Sequence, residues 1–218
     1  MKFLCEKLLC DFYKTDAVSL AKALLGKLLV TDTGGKITAG IITETEAYMG
    51  KTDRACHAFG GRRTARNESM YLPGGHAYVY LIYGMYYCLN VVAAEEDIPE
   101  AVLVRGIIPV LGMHTMISRR YTGKKTSDIP ARAANHLADG PGKLCRAMAI
   151  DKSMDALRLD GERIYICDCG IKLAGEELAS ERINIDYAGE DARKLWRFTA
   201  PPDDPLRRDA AAQTYVLP

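Results

Sequence analysis

Glu44 and Glu46, two residues apart within Ile41–Tyr48, are the first side chains whose types and spacing suggest chemistry. The segment alternates in polarity with the period of a strand. That alternation puts Ile42, Glu44, Glu46 and Tyr48 on one face, about 7 Å per two-residue step at strand rise. Paired carboxylates beside an aromatic can activate a water, although a polar solvent-facing strand would look the same. The strand leads into Cys56–Asn67, where His57, Arg62, Arg63 and Arg66 lie in a glycine-containing stretch. Such a loop suits phosphate contact and catalysis. Further on, Arg105 interrupts the apolar run Ala101–Ile108. A guanidinium is costly to bury without an anion, so the expected partner is Glu44 or Glu46 on a neighbouring strand.

The densest aromatic stretch is Tyr78–Asn90, which holds five of the twelve tyrosines: 78, 80, 83, 86 and 87. Two runs rich in β-branched and aromatic residues flank Tyr83-Gly84, predicting a β-hairpin with glycine supplying the turn's positive φ. Tyr78, Tyr80 and Ile82 then share a face. Tyrosine clusters commonly fill cores. A tip of Ile82, Tyr83, Gly84, Met85 and Tyr86 is nevertheless an odd thing to expose without purpose. It could wedge between stacked bases, with aromatic planes behind it to receive one.

The elements that must position these residues follow from local signals. Residues 1–15 mix apolar and charged positions and predict a short helix docking on the core. Asp16 is a candidate N-cap for a helix over Ala17–Leu25, with Gly26 as its stop. Lys27–Asp32 and Ile37–Tyr48 read as strands joined by a Gly-Gly turn, and Ala101–Ile108 as a central strand. Leu111–Ser118 reads as a helix, and Arg119–Asp139 as a polar, basic loop broken by Pro130. Asp139–Ile150 opens a helix with Pro141 at its first turn, where free amides and Lys143 make a phosphate site. Strands are expected at Arg163–Cys167, Arg182–Tyr187 and Leu195–Phe198, with a peripheral tail after Ala200. Strands outnumber helices and crossover units are absent. We therefore expect an α+β fold: one domain spanning 1–218, with a curved antiparallel sheet flanked by helices and a protruding hairpin.

The formal net charge of the 218 residues is +1. No global electrostatic argument for nucleic acid is available, and two local basic stretches must serve instead. These are residues 51–70, net +3, and residues 119–146, net +5, the latter including Lys124, Lys125 and Arg132. Solvated surface often carries such runs. The seven cysteines show no paired metal-binding spacing, which predicts free thiols, a reducing cytoplasmic setting and no structural zinc. No apolar run approaches 18 residues, so no membrane span is expected.

Together these stretches resemble the alkyladenine (3-methyladenine) DNA glycosylases, the mammalian-type monofunctional family. The resemblance covers Leu24 to about Phe198. Its blocks are Glu44–Tyr48, Gly60–Asn67, Tyr78–Tyr86, Gly140–Cys145 and Ala188–Lys194, in this order. The resemblance implies Glu46 as the general base, where strand parity alone leaves Glu44 equally eligible. It implies that Tyr48, His57 and Tyr80 sandwich the extruded base and that Tyr83, with Met85 beside it, is the wedge. It assigns Arg105 to the attacking water, and Asn90 to crowding the exocyclic amine of normal guanine. Arg62, Arg63, Arg66 and Lys143 are the expected phosphate contacts.

The implied reaction is hydrolytic excision of alkylated or deaminated purines from double-stranded DNA by a monomer, without cofactor or metal. Flipping costs a few kcal/mol, and stacking returns roughly 1–3 kcal/mol per aromatic platform. No lysine lies in the carboxylate or tyrosine blocks, so no Schiff base and no strand cleavage are expected. Two other classes compete. A non-catalytic nucleic-acid-binding domain would keep the stacking face but needs neither Glu46 nor Arg105. A nucleosidase acting on free nucleosides needs neither the wedge nor the basic loops.

Overall fold

A computed structural model of the chain describes residues 2–123, 129–130, 136–202, 204–205 and 213–218. Two long strands form the spine, β4 (Ile37–Tyr48) and β7 (Ala101–Leu111), paired antiparallel. Beyond β7 lie β6 (Tyr86–Val92) and then β5 (Ala77–Ile82) at the sheet's edge. The other side of β4 is shared. Its first half pairs with β3 (Leu28–Asp32), which leads on to β8 (Ile164–Asp168) and β2 (Glu6–Lys7). Its second half pairs with β10 (Arg197–Thr199), which also holds β9 (Leu178–Ser180). Every pairing in this nine-stranded, α+β sheet is antiparallel. That agrees with the expected fold class.

The main core lies between the sheet and its helices. Asp16 caps α2 (Ala17–Ala23) by accepting from the Val18 and Ser19 N–H groups, and Gly26 follows at φ 81°. Leu20 and Leu24 from this segment pack with Leu29, Ile42 and Ala47 of the sheet. Leu144 and Met148 of α4 (Pro141–Met148) and Met116 of α3 (Met113–Arg120) complete the cluster. Glu100, from the acidic loop before β7, accepts from the Ala17 N–H at 2.8 Å and so also serves α2.

The ends of the chain depart from expectation. Residues 2–13 form not one docking helix but β1 (Lys2–Leu4), β2 and the four-residue α1 (Cys10–Tyr13). β1 pairs in parallel with β11 (Thr214–Val216), and Phe3 stacks on Tyr215. These rings pack against a second apolar cluster of Leu28, Val30, Ile41 and Cys167, on the sheet face away from the helices. Burial of that face explains why apolar residues occur on both sides of β3. Cys5 and Cys169 are joined by a disulfide, which corrects the expectation of free thiols throughout. The predicted strand at Arg182–Tyr187 is also absent: a loop enters a 3₁₀ segment over Asp186–Arg193. The predicted helix at Leu111–Ser118 begins two residues later, because Leu111 still belongs to β7.

Candidate active site

The ladder between β4 and β7 is irregular near its end, where Val110 is skipped between the Ala39 and Gly40 pairs, and again in its middle. Ile42 pairs with Ile107, Glu44 with Gly106 and Thr45 with Val104, so Thr43 on one strand and Arg105 on the other have no counterpart. An extra residue in a strand is a β-bulge, and it re-aims the side chains that follow. Here Ile42 faces the helix-side core, as do Ala47 and Val104. The one-face alignment of Ile42 with Glu44 and Glu46 read from simple alternation is therefore corrected. Glu44, Glu46 and Tyr48 share the opposite face, and Arg105 is delivered onto it.

Arg105 bridges both carboxylates. Its Nε donates to Glu44 Oε1 at 2.9 Å, and Nη1 lies 3.4 Å from Glu46 Oε1. Glu44 also accepts from Arg197 Nη1 at 3.0 Å. Glu46 is wholly buried, at 0% exposure. Besides Arg105 it accepts from the Tyr48 hydroxyl and from the Ile183 N–H, each at 2.8 Å. Burial pushes the Glu46 carboxyl above the ordinary range, and Glu44 adds to this; Arg105, the Ile183 amide and Tyr48 pull the other way without cancelling it. The Arg105 guanidinium is opposed by its own burial but held charged by Glu46 and Glu44.

Above this pair opens a cavity of about 490 Å³, within the range of small-ligand sites. It is lined by Tyr48, His57, Tyr80, Asn90 and Arg105 among others, so the structure brings these predicted residues together. His57 sits edge-on to Tyr80, with ring centroids 4.7 Å apart, and its Nδ1 is 2.7 Å from the Tyr78 hydroxyl. Burial, then Arg66 and Arg62, lowers the His57 pKa and favours the neutral ring. Asn90 donates to the Tyr78 carbonyl at 3.1 Å, which fixes its amide at the cavity wall.

β5 and β6 form the predicted hairpin, and the Ile82 carbonyl accepts from the Met85 N–H at 3.2 Å. Gly84 supplies a positive φ of 66°, as expected, but Tyr83 adopts one too, at 53°. Tyr83 and Met85 are 74% and 67% exposed, and Tyr83 stands at the cavity mouth. The outer edge of β5 is occupied by side chains. Asp155 accepts from the Val79 N–H at 2.8 Å, and Arg66 Nη2 donates to the Leu81 carbonyl at 3.0 Å.

The expected phosphate contacts differ in their surroundings. Arg63 is held by Glu68 and Asp97, at 2.6 and 2.7 Å, and lies over the Tyr71 ring. Arg66 lies over Tyr80, and Arg62 is exposed. Lys143 lines the cavity beside the first turn of α4, its ammonium 2.8 Å from Asp139. Lys124, Lys125 and Arg132 of the second basic stretch lie outside the described residues.

Sequence reasoning missed a group beside Glu46. Asp53 and Arg182 form a bidentate pair at 2.5 and 2.9 Å with both side chains fully buried, and the guanidinium lies over the Tyr48 ring. The argument applied to Arg105 is not extended to Arg182, whose segment alternates in polarity and reads simply as a strand. Among the described residues no cluster of His, Cys, Asp and Glu could hold a metal ion, and no helix is long and apolar enough to cross a membrane.

Comparison with known proteins agrees with this geometry. The profile of the methylpurine-DNA glycosylase family matches residues 11–204. A Clostridium acetobutylicum protein is 47% identical over 192 residues, covering 88% of this chain and 93% of that protein. Relatives from Natranaerobius thermophilus and Clostridioides difficile are 45% and 41% identical, covering 88% and 86% of this chain and 94% and 97% of their own lengths. All three carry the provisional name 3-methyladenine DNA glycosylase. A match spanning nearly the whole chain establishes that the chain belongs to the methylpurine-DNA glycosylase family.

Proposed function

We propose that the protein is a monofunctional DNA glycosylase that flips damaged purines out of duplex DNA and hydrolyses their glycosidic bond, acting as a monomer. The observation that carries this is a wholly buried carboxylate, Glu46, which does not itself line the aromatic cavity but is bound by Arg105, Tyr48 and Ile183, which do. Burying a charge is expensive, and a domain that only stacks and grips phosphate has no use for one. The substrates we assign are 3-methyladenine-type alkylated purines, with hypoxanthine and ethenoadenine in the same class.

In this reading Tyr83 and Met85 enter the gap left by the flipped nucleotide, and Tyr48, His57 and Tyr80 receive the base. Glu46 takes a proton from a water whose oxygen attacks C1′ of the deoxyribose. The C1′–N bond breaks and its electron pair leaves with the purine. A 3-alkylated purine carries positive charge, so it leaves readily and is drawn to the tyrosine faces. Arg105 orients the water and favours the ionised form of Glu46.

Single-turnover base release from duplex oligonucleotides carrying 3-methyladenine, hypoxanthine or ethenoadenine tests this. Wild type is expected to release base, and Glu46→Gln to lose at least ~10²-fold in rate while still binding damaged DNA. Binding without release of any of these bases would instead support the stacking domain. Borohydride is expected to trap no covalent adduct; a trapped adduct would point to Lys143, which sequence alone did not place at the cavity.

A further inference from the structure

We propose that the buried Asp53–Arg182 pair is a positioning device for the glycosylase site, fixing the loop whose Ile183 N–H binds Glu46 and bracing one face of Tyr48. The inference rests on the reading of Glu46 as the water-activating base. Arg182 is tied down on several sides. It donates to both Asp53 carboxylate oxygens, to the Ala47 carbonyl at 2.9 Å and to the Asp191 carbonyl at 3.1 Å. Its guanidinium carbon lies 4.8 Å from the Tyr48 ring centroid and 5.0 Å from that of Trp196. Asp53 is fixed in turn by the Met49 and Ala55 N–H groups at 3.1 and 3.0 Å.

These bonds join the end of β4 to a loop that has no strand pairing of its own. The residue after Arg182 is Ile183, whose N–H donates to Glu46 Oε1 at 2.8 Å. The next, Asn184, is held at a positive φ of 60° at the cavity wall, a strained conformation that needs surrounding structure to persist. A buried ion pair is a poor source of net stability, and its better-attested use is to fix one arrangement among several. Here the fixed arrangement delivers a hydrogen bond to the ionised form of the carboxylate and holds the aromatic beside it.

The charged and titratable groups facing Glu46 are Arg105 on β7, Glu44 and Tyr48 on β4, Cys88 on β6 and Arg182 on the loop. Arg197 on β10 reaches it through Glu44. Two substitutions separate positioning from charge. Arg182→Lys keeps the charge but loses the fork. Asp53→Asn removes a negative charge, which by electrostatics alone would ease ionisation of Glu46. Lost positioning has the opposite sign, because a carboxylate deprived of its N–H donor is harder to ionise.

The experiment is the pH profile of single-turnover base release for wild type, Asp53→Asn, Arg182→Lys and Glu46→Gln. Both pair variants are expected to move the acid limb to higher pH, losing about tenfold on the acid side of the limb, the scale of one charged hydrogen bond, and recovering towards high pH. Profiles that overlay wild type after a uniform scaling, or an acid limb moved down in Asp53→Asn, would overturn the proposal. Undiminished release by Glu46→Gln would overturn the underlying reading instead. Should the pair variants not fold, hydrogen exchange at the Ile183 amide of wild type decides. Protection that weakens as Glu46 is protonated supports the device, and exchange as fast as in an exposed loop overturns it.

Discussion

Burial sets two requirements against each other at Glu46. The proposed reaction needs it ionised, yet its surroundings raise the carboxyl pKa above the ordinary value of about 4.3. Base release should therefore fall as pH drops through an acid limb displaced above that value, and a rate–pH profile on a cationic lesion will show it. The stability consequence has its own sign. A carboxyl whose pKa is raised by folding favours the folded state at low pH, and that contribution is lost as pH rises through the folded pKa. Glu46→Gln should thus melt higher than wild type at neutral pH, with the difference vanishing below about pH 4. Thermal denaturation at both pH values checks it. The residues of this site were unevenly legible. Glu44, Glu46 and the search of Arg105 for an anion followed from side-chain chemistry in strands. Asp53, Arg182 and Arg197 did not, because their partners are remote in sequence: Arg182 lies 129 residues from Asp53, and Arg197 153 from Glu44.

At the scale of elements, the hairpin is where function and stability part company. Tyr83 is largely exposed and held at positive φ, so its side chain adds little burial while its backbone is strained. Tyr83→Gly should be neutral or stabilise the fold by up to ~1 kcal/mol, as the relief of left-handed strain outweighs glycine's entropy. Under the proposed role of Tyr83 as a wedge, base release should nevertheless fall at least ~10-fold through loss of its stacking. Asp155→Ala has the opposite profile: it leaves the Val79 N–H of the edge strand without its partner and should cost about 1–3 kcal/mol. Denaturant unfolding beside base release separates the two cases. The hairpin, β3, β4 and α2 were legible because alternation, turn glycines and an Asp cap are local signals. The bulges were not, since they are relations between two strands, and the loop after Arg182 was not, since its alternating residues imitate a strand.

For the molecule as a whole, the Cys5–Cys169 bond closes a loop of 164 residues, and the first and last strands lie against each other. Constraining the unfolded chain over that span should contribute about 2–5 kcal/mol. Reductant should lower the melting temperature by on the order of 10 °C, and Cys5→Ser should match the reduced protein and not respond further. Neither cysteine lines the cavity, so base release below the melting range should be unchanged. The sheet's overall character was legible from its many short alternating runs. Which apolar face each terminal strand covers was not, because short strands carry little periodicity.

The mid-ladder break between β4 and β7 has a further meaning. The pairing sum of residue numbers is the same on its two sides, as Ile42–Ile107 and Thr45–Val104 show, so the two extra residues cancel. In crystal terms it is a dislocation pair confined to one lattice site. Deleting Thr43 and Arg105 together would heal it, restoring continuous pairing from Gly40 to Tyr48, whereas deleting either alone would slip the register between the two longest strands. Arg105 is thus an interstitial: the ladder closes without it, and the sheet has room for it because its defect is matched across the ladder.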